Sequence, residues 1–179
     1  MKSLYNLKYE ILNLKNLDIA FKIQKETWPD DPDYNDLYDK ATNTKDDNCF
    51  FLVYDKNTLI GITGIEIYDK YPDTVWLDWF AILPEYRRIG YGEKVLLDTI
   101  NYCKKLNRFS FFRLDTTYYK DRPALFLYDK IMHLREDYTI EDTKDCKTNF
   151  LIYTYCLKGE LKPWNNKFLG LRNFYDKLK

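Results

Sequence analysis

Alternating and helical apolar spacings take turns along the chain, and each change of period marks an element. Leu7 to Leu14 alternates weakly and suits a first strand. Asn16 is placed to cap a helix in which Ile19, Ala20, Ile23 and Thr27 share a face, and Trp28-Pro29 ends it. An acidic, proline-marked stretch follows, with Asp30, Asp31, Asp33, Asp36 and Asp39, and reads as a loop with a short helix. Asn48 to Tyr54 and Leu59 to Tyr68 are strong strands, joined by the turn residues Asp55 to Thr58.

The densest signal lies between Thr74 and Leu106. An apolar run from Val75 to Leu83, interrupted only by Asp78, stops at Pro84. Arg87-Arg88-Ile89-Gly90-Tyr91-Gly92 follows, and then a helix expected to bury Leu96, Ile100, Cys103 and Leu106. The three strands up to Leu83 read as an antiparallel meander. The order strand, glycine-containing turn, helix aims backbone N–H groups at one point at the positive end of a helix dipole, which makes an anion site. Glycine suits it because a Cβ would keep a phosphate from the backbone.

Ser110 to Asp115 is the next strand, reached by a right-handed parallel crossover. Asp121 and Pro123 open a further helix whose face carries Ala124, Leu127, Tyr128 and Ile131. A short strand around Tyr138 and Ile140 and a clear final strand, Asn149 to Lys158, complete the order β-α-α-β-β-β-α-β-α-β-β. The fold class is therefore α/β, in the sense of a mixed α+β sheet of about seven strands flanked by helices. The division is one domain over 1–158 and an extension over 159–179. In that extension Trp164, Phe168, Leu171, Tyr175 and Leu178 form a helical stripe, expected to pack on the domain or on a second subunit of a homodimer.

Composition narrows the function classes. Apolar residues make up 45% of the 179 and aromatics 18%, with 17 tyrosines, which is globular. Lys plus Arg equals Asp plus Glu at 28 each, so no net field favours nucleic acid or a membrane surface. No apolar run approaches the roughly 20 residues of a membrane helix, and the N-terminus lacks a signal-peptide pattern. Four scattered cysteines and one histidine, His133, give no metal-ligand spacing. A cytoplasmic protein with reduced thiols is expected. No G-x-x-x-x-G-K-[ST] occurs, which argues against a Walker-type nucleotide site.

Leu77-Asp78-Trp79-Phe80-Ala81-Ile82-Leu83-Pro84-Glu85-Tyr86-Arg87-Arg88-Ile89-Gly90-Tyr91-Gly92, followed by a Leu-rich helix, resembles the strand–turn–helix signature of the GNAT superfamily of acyl-CoA-dependent N-acyltransferases. Asp121-Arg122-Pro123-Ala124-Leu125-Phe126-Leu127-Tyr128-Asp129-Lys130 fits that family's second signature in part, with Asp121 in place of the usual Asn and Met132-His133 in place of Gly-Phe. The resemblance spans roughly residues 5 to 158. It implies a sheet splayed between its fourth and fifth strands, and acetyl-CoA as co-substrate with no metal.

The resemblance also implies roles. The cofactor's pyrophosphate would lie on the backbone of Arg88, Ile89, Gly90, Tyr91 and Gly92, with charge from Arg87 and Arg88. Its pantetheine arm would run along Phe80, Ala81 and Ile82, with Asp121 and Lys130 as further contacts. Tyr128 would protonate the departing thiolate as general acid. The base would be Asp78, the one acid in an apolar strand, or Glu66 on the preceding strand, or else the proton would pass through water to bulk. Glu26 to Asp47 carries eight acids against two lysines, Lys40 and Lys45, which suits a small cationic amine or a peptide amine. Trp28, Tyr34 and Tyr38 would wall that acceptor site. A non-catalytic acyl-CoA-binding regulatory module on the same fold is the competing reading.

Overall fold

The computed structural model of the protein describes residues 6–30, 32–42, 49–118, 123–143 and 146–164. They form β1 (Leu7–Ile11), α1 (Leu17–Thr27), α2 (Tyr34–Thr42), β2 (Phe50–Asp55), β3 (Thr58–Ile67), β4 (Thr74–Ile82), α3 (Tyr91–Leu106), β5 (Phe111–Thr117), α4 (Pro123–Ile131), β6 (Leu134–Thr143) and β7 (Cys146–Cys156). One seven-stranded sheet runs in the order β1-β2-β3-β4-β5-β7-β6. All neighbours are antiparallel except β4 and β5, which are parallel. This is the mixed α/β sheet that the sequence predicts, meander and crossover included.

Helices cover both faces. On one side Leu96, Ile100 and Cys103 of α3 and Leu125 and Tyr128 of α4 pack on Val75, Leu77, Phe112, Leu114, Leu151 and Tyr153. On the other, Ala20 and Ile23 of α1 and Leu37 and Ala41 of α2 pack on Phe50, Leu52, Ile62 and Ala81. A two-sided core explains why β2 to β5 read as apolar runs rather than as clean alternation.

The pairing of β4 with β5 is brief. It joins Thr74 to Phe111, Val75 to Phe112 and Trp76 to Arg113, after which the two strands run on unpaired to Ile82 and Thr117. The sheet is thus splayed between its fourth and fifth strands. The opening lies beside the turn that starts α3.

Several boundaries differ from the sequence expectation. The first strand stops at Ile11 because asparagine side chains capture the backbone there: Asn13 Nδ2 and Asn16 Nδ2 both donate to the Ile11 carbonyl, at 3.0 and 3.1 Å. Asn16 stands at the N-cap of α1, but its Oδ1 accepts the Asn13 N–H at 2.8 Å instead of a helical one. Ile19 is exposed, and Leu17 and Gln24 join Ala20 and Ile23 on the buried face. Leu106 is exposed at the end of α3, whose inner face holds Val95 and Thr99 as well as the expected residues. β6 is a ten-residue edge strand and not a short one. The expected tail helix falls largely on residues 165–179, outside the described residues. Trp164, the start of its stripe, packs on Trp76 and Tyr71 of the domain.

Candidate active site

The site begins with an irregularity in β4. Ile62 and Gly64 of β3 face Ala81 and Asp78 of β4, so β4 carries one residue more than β3 across that step. The extra residue is a β-bulge, and Trp79 takes it up at φ +42°. Close approach of the strands is secured by Gly61, where a Cβ would lie 2.2 Å from the Ala81 carbonyl oxygen.

The bulge changes which way consecutive side chains point. Asp78 and Trp79 both turn toward α1 and α2. Asp78 is only 6% exposed, and its Oδ2 lies 2.7 Å from Lys40 Nζ. The same ammonium is 2.6 Å from Asp36 Oδ2, which also accepts the Trp79 indole N–H at 2.7 Å. Burial pulls the Lys40 pKa down, but the carboxylates of Asp78, Asp36 and Glu66 outweigh it and hold the pKa above the ordinary lysine value. Glu66 sits on β3 opposite Trp76, and its Oε2 accepts the Tyr68 hydroxyl at 2.9 Å.

Phe80 turns the other way, toward α4. Its ring centroid is 6.4 Å from that of Tyr128, which is 7% exposed and in turn 5.5 Å from Tyr153. Tyr153 donates to Asp129 Oδ1 at 2.7 Å. Asp78 and Tyr128 therefore lie on opposite faces of the sheet, on either side of the bulge.

At the end of β4 the chain makes a 3-10 turn, Pro84–Tyr86, and enters α3 through two left-handed residues, Arg88 (φ +61°) and Gly90 (φ +98°). Gly90 is the N-cap and offers no side chain to the first helical N–H groups. A Cβ on Gly92 would meet only Leu127 Cδ2 at 3.4 Å and Ile82 Cγ1 at 3.8 Å, ordinary contacts, so the protein's own packing does not demand glycine there. Arg87 folds back and its Nε donates to the Ile82 carbonyl at 2.7 Å. Arg87, Arg88, Ile89 and Gly90 are exposed. Tyr91 donates to Asp55 Oδ2 at 2.6 Å, which ties the start of α3 to β2. An anion meeting this turn finds the positive end of the helix dipole and no side-chain cap at Gly90.

The remaining predicted residues are placed as follows. Lys130 Nζ pairs with Glu93 Oε2 at 2.6 Å, bridging α4 to the first turn of α3. Trp28 packs edge-on against Trp79 at 5.1 Å and so lines the α1–α2 side of the bulge, while Tyr38 stacks with Tyr34 at 6.5 Å and both of these rings are exposed. Asp121 lies outside the described residues.

The sequence profile of the acetyltransferase (GNAT) family matches residues 11–134. The chain belongs to the GNAT acetyltransferase family. Solved structures agree on the fold. Arabidopsis thaliana NAA60 in complex with acetyl-CoA has a TM-score of 0.66 at 14% identity, covering 86% of this chain and 100% of that one. A ribosomal-protein alanine N-acetyltransferase from Escherichia coli has 0.64 at 17%, covering 91% and 100%. The spermidine/spermine N-acetyltransferase SpeG of Vibrio cholerae has 0.66 at 14%, covering 84% and 92%. Among curated proteins none matches. As a GNAT member the protein is an acetyltransferase, the enzyme class that the sequence predicts.

One side chain with a place in the site went unread in the sequence. Lys40 has a local signal, its i,i+4 spacing to Asp36 on α2. Its pairing with Asp78 joins residues far apart in sequence and leaves no local trace. Arg113 interrupts an apolar strand just as Asp78 does. The Cys103 thiol is no alternative nucleophile: burial, with Cys49 nearby, pushes its pKa up to about 12. His133 is stacked on Tyr155 at 3.9 Å and accepts the Cys156 N–H at 3.2 Å. Among the described residues no group of three or more potential metal ligands forms, and no helix is long and apolar enough to cross a membrane.

Proposed function

We propose that the protein transfers an acetyl group from acetyl-CoA to a primary amine by direct attack in a ternary complex. The observation that carries this reading is the bulge at Trp79, set in a sheet that opens between β4 and β5, with Tyr128 on one face and Asp78 on the other. The arrangement gives the acyl donor and the amine opposite sides from which to meet.

The chain's residues fit acetyl-CoA as co-substrate. The uncapped start of α3 suits its pyrophosphate, with Arg87 and Arg88 adding charge. The edge of β4 that β5 leaves unpaired beside Phe80, Ala81 and Ile82 suits an extended, amide-rich arm that adds like a strand. A backbone N–H near Ala81 or Ile82 stabilises the developing oxyanion in this reading. Tyr128 supplies the proton to the departing thiolate, since a phenol is neutral at pH 7. Asp78 or Glu66 takes the proton from the amine.

The acceptor is a small cationic amine or a peptide amine. Asp36, Asp78 and Glu66 already gather round one ammonium, that of Lys40, so an acceptor cation meets the same field. The non-catalytic reading predicts acetyl-CoA binding with no amine-dependent thiol release. Asp78→Asn and Tyr128→Phe separate the two readings: each should slow turnover while sparing acetyl-CoA affinity. Turnover unchanged in both variants removes these residues from the chemistry. A cytoplasmic location and a homodimer remain part of the proposal, tested by fractionation and by light scattering.

A further inference from the structure

The strongest unexplained group in the molecule is Arg113. It sits on β5, is 2% exposed, and lies on the sheet face opposite α3 and α4. Its guanidinium is held between two rings, with Cζ 4.6 Å from the centroid of Phe111 and 4.9 Å from that of Trp164. Of its five donors, Nη2 reaches the Lys162 carbonyl at 3.2 Å, while Nε and Nη1 are buried without a hydrogen-bond partner. Burial draws its pKa below the ordinary arginine value, against the fields of Glu136, Asp73 and Tyr138. Glu136 is engaged elsewhere, accepting the Tyr138 hydroxyl at 2.8 Å and the Trp164 N–H at 2.6 Å. Asp73 Oδ1 accepts the Thr74 hydroxyl at 2.9 Å. Among the described residues no carboxylate forms an ion pair with Arg113.

A buried cation with idle donors is costly, because each buried donor has given up its hydrogen bond to water without gaining another. Arg113 lines a cleft of about 350 Å3, together with Tyr71, Thr74, Phe111, Lys162, Trp164 and Asp73, the acid whose Oδ1 is taken by the Thr74 hydroxyl. The Trp164 indole N–H is a further buried donor without a partner. The cleft thus presents idle donors between aromatic walls, with Lys162 beside it. What the guanidinium lacks is a partner with two coplanar acceptor atoms, since Asp73 on the cleft makes no ion pair with it.

We infer that the Arg113 cleft is a binding pocket for the carboxylate of a small molecule, received in bidentate fashion by the guanidinium. A planar carboxylate fits the slot between Phe111 and Trp164 better than a tetrahedral phosphate does. Thr74, on the cleft, lies four residues before Asp78 on β4, about 13 Å at the rise of an extended strand, and on the same face. The carboxylate of an acceptor whose amine reaches Asp78 would therefore span that distance. This last identification rests on the acetyl-transfer reading. The binding of a carboxylate does not.

The test is a titration of the free protein with succinate, benzoate and inorganic phosphate, followed by the Arg113 side-chain Nε–H signal in NMR and by tryptophan fluorescence. A shift of the Arg113 Nε–H with succinate or benzoate, weaker or absent with phosphate, is expected. In Arg113→Met the fluorescence response should vanish while the melting temperature holds or rises, since a buried cation without partners is replaced by an apolar chain of similar length. Trp164→Phe should weaken the response and keep the fold. An Nε–H that no carboxylate moves, or one that phosphate moves most, overturns the inference, as does a fluorescence response that survives in Arg113→Met. Amines with and without a remote carboxylate then distinguish the sources. An Arg113-dependent fall in KM for the carboxylate-bearing amine assigns the pocket to the acceptor. Binding without that effect assigns it to a separate carboxylate.

Discussion

Lys40 is the residue that most changes the picture drawn from the sequence. Asp78 stands out there as a solitary acid in an apolar strand, and in the fold it is one of the carboxylates around a buried ammonium. Removing one partner of a buried pair strands the other, so Lys40→Met should lower stability by about 3 kcal/mol or more in chemical denaturation at pH 7. The pH dependence has a definite sign. The Lys40 pKa is raised above 10.5 in the folded state, so its contribution is fully present below that value and is lost as pH climbs through the higher folded value. Wild-type stability should therefore fall steeply in that alkaline window, and the fall should be shallower in Lys40→Met. Tyr128→Phe belongs to the same scale. It deletes only a hydroxyl, so kcat should drop by about 100-fold or more with acetyl-CoA affinity unchanged in calorimetry.

β4 and the turn after it form the working element. Their order and the glycine-containing turn are legible in the sequence, because an apolar run, Pro84 and two glycines are local signals. The bulge is not legible, since it depends on how β3 registers against β4 and on Gly61 letting the strands close. The two glycine types make opposite predictions. Gly61→Ala places a Cβ 2.2 Å from a backbone carbonyl and should cost about 2 kcal/mol or more. Gly92→Ala meets only ordinary contacts in a helix, so stability should hold or rise by up to about 1 kcal/mol. Acetyl-CoA affinity in that variant should still fall about tenfold, the equivalent of one weakened charged hydrogen bond. Thermal melts and a binding titration on both variants check the contrast.

At the scale of the whole molecule, the sequence reads well wherever burial is two-sided and badly at the edges. β2 to β5 announce themselves because both faces are covered. β6, an edge strand with charged runs at Arg135-Glu136-Asp137 and Glu141-Asp142, shows only Tyr138 and Ile140. The position of β7 between β5 and β6 is a long-range choice that no window of sequence carries. Asp78 and Tyr128 are each visible as residues, but their placement on opposite faces of one splayed sheet emerges only from the fold. That placement is the basis of the acetyl-transfer account. Initial rates of thiol release, with acetyl-CoA and a panel of amines varied together, test it most directly. The account predicts amine-dependent release with intersecting double-reciprocal lines. Tight acetyl-CoA binding with no release for any amine, or parallel lines with an acetylated enzyme, would contradict it.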